Sequence, residues 1–152
     1  MRDKKKLAQR YERIYQQLKE LLTKTDNKIA RMATVTAVLH NKMPQFFWTG
    51  FYRLSNGELI VGPYQGSVAC QILEKNKGVC WASINRKETI IVPDAEKFPG
   101  HIPCDPRSKS EIVVPLFASE NEVYAVLDID SDKLNTFSEI DKIWLEKIVK
   151  LI

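Results

Sequence analysis

Three cysteines, Cys70, Cys80 and Cys104, are the residues of this chain best suited to covalent chemistry. An odd number of thiols cannot all pair within one chain, so the set fits a nucleophile with a resolving partner better than a framework of structural disulfides. Cys104 lies between Pro103 and Pro106 in a polar segment, Gly100-His101-Ile102-Pro103-Cys104-Asp105, with His101 three residues before it as a proton acceptor. Cys70 follows Ala69 in a mixed segment and has the surroundings of a simply buried thiol. Cys80 stands near an expected helix start, where the helix dipole favours a thiolate, but Val79 and Trp81 around it indicate packing. The spacings among Cys70, Cys80, His101 and Cys104 match no paired C-x-x-C knuckle, which argues against a structural zinc site.

A second constellation is acidic. Asp128 and Asp130 are two apart in an expected strand, so they share a face, while Leu127 and Ile129 take the other. If the preceding hairpin centres on Ser119-Glu120, facing residues have numbers summing to about 240, which brings Glu111 within ~8 Å of the Asp pair. Three carboxyl groups crowded together raise at least one pKa, leaving a proton available for donation at neutral pH. The same spacing also suits a solvated sheet edge. Trp48 and Tyr52, four apart, share a strand face opposite Phe47, Thr49 and Phe51. One of these faces belongs to the core, and the other suits a pocket wall holding the apolar part of a small ligand.

The elements that must position these groups are read from periodicity. Leu7, Tyr11, Ile14, Leu18 and Leu21 form the apolar stripe of a first helix. A second helix follows Thr25-Asp26-Asn27, runs to about Leu39 and buries Ile29, Met32, Ala33 and Thr36. From Phe46 the period changes to two, predicting a strand to Leu54 and, across Ser55-Asn56-Gly57, a partner at Glu58–Val61. A third strand is expected over Gly66–Leu73, a short helix over Gly78–Ile84 and a brief strand over Thr89–Val92. Residues 95–109 read as a long loop, a kind that in compact domains is often functional. Strands Ser110–Phe117 and Glu122–Asp130 precede a closing helix from about Ser138 to Leu151, with Thr136 and Glu139 as its expected capping box. This order predicts an α+β domain with a central antiparallel sheet, the terminal helices on one face and the pocket on the other.

At 152 residues and 44% hydrophobic composition, the chain is expected to form one domain over 1–152, with helices in 1–42 and the sheet, loops and closing helix in 46–152. Met1-Arg2-Asp3-Lys4-Lys5-Lys6 is basic, but no unbroken apolar run follows it, so neither a signal peptide nor a transmembrane segment is expected. A cytoplasmic location with reduced thiols follows as the expectation. The net charge of +4 is local: residues 1–31 carry ten Lys/Arg against four Asp/Glu, leaving 13 basic against 15 acidic residues in the remainder. Without aromatic interleaving, that segment reads as a solvated helix face, not a nucleic-acid surface.

Trp48-Thr49-Gly50-Phe51-Tyr52, Gly62-Pro63-Tyr64-Gln65-Gly66, Ala69-Cys70, Gly78-Val79-Cys80, the Gly100–Asp105 segment, Ser110–Leu116 and Val126–Ser131 together resemble the free methionine-(R)-sulfoxide reductases, a catalytic branch of the GAF-domain fold. The resemblance extends over nearly the whole chain. It implies that Cys104 is the catalytic cysteine, Cys70 its disulfide partner and Cys80 a further resolving or recycling thiol. It also implies that Trp48 and Tyr52 are pocket aromatics, and that Glu111, Asp128 and Asp130 bind the polar groups of the substrate, free methionine sulfoxide. Such enzymes are homodimers recycled by thioredoxin, and the implied chemistry needs no metal or organic cofactor. The alternative is a GAF module that binds a small ligand as a sensor.

Overall fold

The computed structural model describes residues 3–101 and 104–152; Ile102 and Pro103, within the cysteine-bearing loop, and Met1 and Arg2, in the basic start, lie outside the described residues. The first helix, α1 (Lys4–Leu21), is capped by the Asp3 carboxylate, which accepts from the Lys5 and Lys6 backbone N–H groups. Its stripe buries Leu7, Tyr11, Ile14 and Leu18, but a 3-10 turn after Leu21 rotates the next apolar contact to Leu22 and leaves Leu21 exposed. Helix α2 (Lys28–Lys42) starts on the Asn27 cap and buries Met32, Val35, Thr36 and Leu39. Ile29 and Ala33, expected inside, face outward, because the helix seats on the stripe through Val35 and Leu39.

Strands β1 (Trp48–Ser55) and β2 (Glu58–Gln65) form the expected hairpin, with Asn56 and Gly57 both at positive φ in its turn. The third strand, β3, is only Ile72–Leu73; residues 66–71, which start at the positive-φ Gly66, are irregular, although the Val61 N–H still donates to the Gln71 carbonyl. Helix α3 (Gly78–Arg86) and strand β4 (Ile90–Val92) follow. The loop to Lys109 opens with a 3-10 turn, Ala95–Lys97. Strands β5 (Ser110–Ser119) and β6 (Glu122–Ser131) lead to α4 (Glu139–Val149). Its capping box uses Ser138 and Asp141 instead of Thr136 and Glu139; Thr136 lies before the N-cap, and its hydroxyl donates to Ser131 Oγ.

The sheet order is β3-β2-β1-β6-β5-β4, antiparallel throughout. Alternation sorts its side chains into two cores. Phe51, Ile112, Val114, Leu127 and Ile129 pack against α1, α2 and α4, where the buried Tyr11 hydroxyl donates to Asp141 at 2.6 Å and ties the first helix to the last. On the other face, Trp48, Tyr52, Val113 and Val126 meet Val79, Cys80 and Trp81 of α3. α3 covers only part of that face, and the uncovered part is a cavity. No described helix is long and apolar enough to cross a membrane.

Candidate active site

The cavity has a volume of about 230 Å³. Its floor is the β1/β6/β5 surface, which supplies Trp48, Tyr52, Asp128, Asp130 and Glu111; its walls are the 67–74 segment, the start of α3 and, farther on, Gly100, His101, Cys104 and Asp105. All eight residues singled out from the sequence line it.

The acids meet through strand register. Glu111 lies directly across from Asp130, and Asp128 pairs across to Val113, so the true sum is 241, close to that expected from the turn. Trp48 in turn pairs with Asp130 and Gly50 with Asp128, placing the aromatic strand beside the acidic one. Glu111 and Asp128 are buried, and one carboxylate oxygen of each lies within 4.8 Å of the other and of the Cys80 sulfur. Burial, then the charges of Asp128 and Asp130, pushes the Glu111 carboxyl well above its ordinary value. Burial and then Asp128 push Asp130 up as well, against hydrogen bonds from Glu111 and Ser108. Burial also raises Asp128, but hydrogen bonds from Glu111 and Cys80 and the nearby His101 oppose it. All three carboxyls are thus pushed toward their protonated forms, Asp128 against the most opposition from its neighbours. Asp128 Oδ1 and His101 Nε2 are buried without a hydrogen-bond partner among the described residues. Burial, the largest influence on His101, favours its neutral imidazole.

Cys70 and Cys104 are joined in a disulfide with Cα atoms 5.8 Å apart. Cys104 is exposed and Cys70 partly so, both on the cavity wall. Cys80 is a free buried thiol, third in α3. The helix dipole expected to favour its thiolate is outweighed: burial first, then the charges of Asp128 and Glu111, drive the thiol well above its ordinary value. Cys80 therefore stays protonated, hydrogen-bonded to Asp128, and takes no part in the disulfide.

The aromatic wall is larger than the sequence reading implied. Trp48 stacks on Tyr52 and on Tyr64, with ring centroids 5.9 and 5.3 Å apart. Tyr64 faces Gly50 across the hairpin, and a Cβ on Gly50 would fall 2.3 Å from Tyr64 Cβ, so the glycine admits the stack. Both floor aromatics use their polar ends on the Cys70 segment. Trp48 Nε1 donates to the Ser67 carbonyl at 3.0 Å, and the Tyr52 hydroxyl donates to the Cys70 carbonyl at 3.2 Å. Burial and then Asp128 raise the Tyr52 phenol, which remains a donor.

Sequence reasoning missed Tyr64, Ser67, Asp105 and Ser108, all adjacent to the site. Tyr64 was findable by alternation on β2. Asp105 was findable as the acid next to Cys104, with Arg107 two residues on to hold it. Ser67 and Ser108 carried no signal, because a single serine in a loop is uninformative until its neighbours are known.

A GAF domain family model matches residues 30–152. GAF domain-containing protein A of Dictyostelium discoideum is 48% identical over 145 residues, covering 95% of this chain and 90% of that protein. The free methionine-R-sulfoxide reductase of Saccharomyces cerevisiae is 49% identical over 108 residues, covering 69% of this chain and 60% of that protein. The X-ray structure of free methionine-R-sulfoxide reductase from Neisseria meningitidis in complex with its substrate superposes with a TM-score of 0.91 at 35% identity, covering 99% of this chain and 89% of that one. In sequence and in fold, the chain belongs to the free methionine-R-sulfoxide reductase family, an oxidoreductase branch of the GAF-domain proteins.

Proposed function

We propose that this chain reduces free L-methionine (R)-S-oxide to L-methionine, with Cys104 as nucleophile, Cys70 as resolving thiol and a thioredoxin-type dithiol as reductant. The observation that carries the reading is the Cys70–Cys104 bond on the wall of a cavity floored by Glu111, Asp128 and Asp130.

A sulfoxide sulfur becomes electrophilic when its oxygen is hydrogen-bonded or protonated. Glu111, with Asp130 behind it, donates to that oxygen, and the Cys104 thiolate attacks sulfur. The sulfur–oxygen bond breaks, methionine leaves with both electrons on sulfur, and the oxygen passes to Cys104 as a sulfenic acid. Cys70 attacks the sulfenic sulfur; the S–S bond forms and the oxygen departs as water. An external dithiol then returns both cysteines to thiols. Asp128, whose charged form is favoured by hydrogen bonds from Glu111 and Cys80 and by nearby His101, pairs with the substrate ammonium, and Trp48 and Tyr52 hold its apolar carbons. A cavity of about 230 Å³ lies below the ~300 Å³ typical of drug-sized ligand sites, which favours a free amino acid over a residue within a polypeptide. Cys80, buried and protonated, supports Asp128, and its exchange with the Cys70–Cys104 pair is confined to recycling. Homodimerisation, a cytoplasmic setting and the lack of any organic cofactor belong to the same proposal.

Incubating the reduced protein with separated methionine sulfoxide epimers and dithiothreitol tests it. Methionine should form from the free R epimer and not in Cys104→Ser. Absence of turnover, or full activity in Cys104→Ser, would return the chain to a ligand-binding GAF module.

A further inference from the structure

Ser67 lies three residues before Cys70, and Asp105 directly follows Cys104. The Ser67 hydroxyl donates to Asp105 Oδ2 at 2.8 Å, so the two cysteine-bearing segments are joined twice, once by the disulfide and once by this hydrogen bond. Asp105 is held in turn by Arg107, whose Nη2 donates to Oδ2 at 2.7 Å, Nε to Oδ1 at 3.0 Å and backbone N–H to Oδ1 at 2.9 Å. The Arg107 guanidinium lies over the Phe47 ring at 4.9 Å, and the neighbouring Trp48 grips the Ser67 carbonyl. Both segments are thereby fastened to the start of β1. None of these contacts involves either sulfur.

On that basis, and resting on the proposed reductase chemistry, we propose that Asp105 is a positioning residue: a non-covalent latch that keeps the Cys104 segment against the Cys70 segment when the disulfide is open, and so sets the rate of sulfenic acid resolution. The first half-reaction needs only Cys104, the substrate and the acids. The second needs two sulfurs 34 residues apart in sequence, on segments without regular structure, to meet before a stray thiol or oxidant reaches the sulfenic acid. Segments of this kind open at low free energy once a cross-link is removed, and a buttressed carboxylate bridging them restores the lost proximity. In the resolving step, the Cys70 S–H and Cys104 S–O bonds break, the S–S bond forms and water leaves; the sulfoxide already reduced was the oxidant, so no further reagent is needed.

The test separates the two half-reactions by rapid quench under single turnover, following methionine release and disulfide formation in parallel. Arg107→Ala removes the buttress without touching the cavity lining, and Asp105→Ala removes the hub. Asp105→Asn keeps an oxygen for Ser67 but loses the charge that Arg107 grips. Expected is methionine release within about twofold of the parent in Arg107→Ala, and disulfide formation slower by about tenfold in Asp105→Ala with Asp105→Asn intermediate, while dimedone traps more sulfenic acid. The effective concentration of the Cys70–Cys104 pair, measured against glutathione without substrate, should fall in the same order, at an unchanged melting temperature of the oxidised proteins. Disulfide formation at the parental rate in Asp105→Ala overturns the latch, as does equal slowing of both steps. If the parent makes no methionine, the reductase reading fails, while the glutathione measurement still decides whether Asp105 couples the segments.

Discussion

The Tyr52 hydroxyl donates to the Cys70 carbonyl at 3.2 Å, so one residue of the substrate floor also holds the backbone of the proposed resolving cysteine. Floor and wall are therefore not independent. Tyr52→Phe keeps the ring that stacks on Trp48 and removes only the hydrogen bond. A net bond of ~1 kcal/mol translates to about a fivefold change. The expected outcome is a KM within about twofold of the parent and a disulfide-forming step slowed by up to about fivefold, read by quenched-flow thiol counting. A large rise in KM with unchanged resolution would assign the hydroxyl to the substrate instead.

Glu111 and Asp128 should separate kinetically. Loss of a proton donor aimed at the sulfoxide oxygen should lower kcat by about 10²–10³ in Glu111→Gln. Asp128→Asn, losing the charge opposite the ammonium, should act mainly through KM, by about tenfold or more. Steady-state kinetics with the free R epimer checks both, and equal losses confined to KM would remove the acid role from Glu111.

The buried acids also make stability depend on pH. Glu111 has a folded pKa well above its ordinary 4.5, because burial and then Asp128 and Asp130 disfavour its charge. Between the ordinary and the raised value, the folded state binds more protons than the unfolded one, so its contribution to stability is full below about 4.5 and is lost as pH rises toward the folded value. Glu111→Gln removes this loss. Its melting temperature relative to the parent should rise from about pH 5 to about pH 8 even as activity falls. Calorimetry of the reduced proteins across that range would contradict the account if the difference stayed flat or changed the other way.

Gly66 has a φ of +124°, and a Cβ there would lie 2.8 Å from Trp48 Cδ1 and 3.0 Å from the Phe47 carbonyl oxygen. Gly66→Ala meets backbone strain and a crowded indole together. A loss of ~1–3 kcal/mol and a melting temperature lower by roughly 2–10 °C are expected. KM should rise as well, since Trp48 is displaced. Thermal denaturation and kinetics check both parts, and a neutral effect on either would show that the segment yields more readily than its contacts imply.

Thiol accessibility provides a simple check on Cys80. In the native oxidised protein the only free thiol is buried, so Ellman's reagent should register almost none, and one thiol per chain after unfolding. Prompt reaction of a thiol in the native oxidised protein would contradict the burial and give Cys80 a more direct part in exchange.

Much of this site was legible along the chain because strand alternation is a strong local constraint. Trp48 with Tyr52, and Asp128 with Asp130, had to share faces, and the turn after β5 had to bring Glu111 opposite Asp130, as the register bears out. Helical periodicity likewise located α1 through Leu7, Tyr11, Ile14 and Leu18. It failed at Leu21, Ile29 and Ala33, where the side that faces inward depends on how the helix seats on the sheet.

Residue types and spacing determined by themselves that an odd set of thiols, a crowded acid face and an aromatic strand occur in an α+β fold. Tertiary structure alone decided what those groups do to one another. It sank Cys80 beside Asp128, where desolvation outweighs the helix dipole, and turned residues 66–71 from a strand into a cavity wall. It also set Ser67 against Asp105 across 38 positions of chain. Burial and long-range hydrogen bonds depend on packing between segments distant in sequence, and no local pattern encodes them.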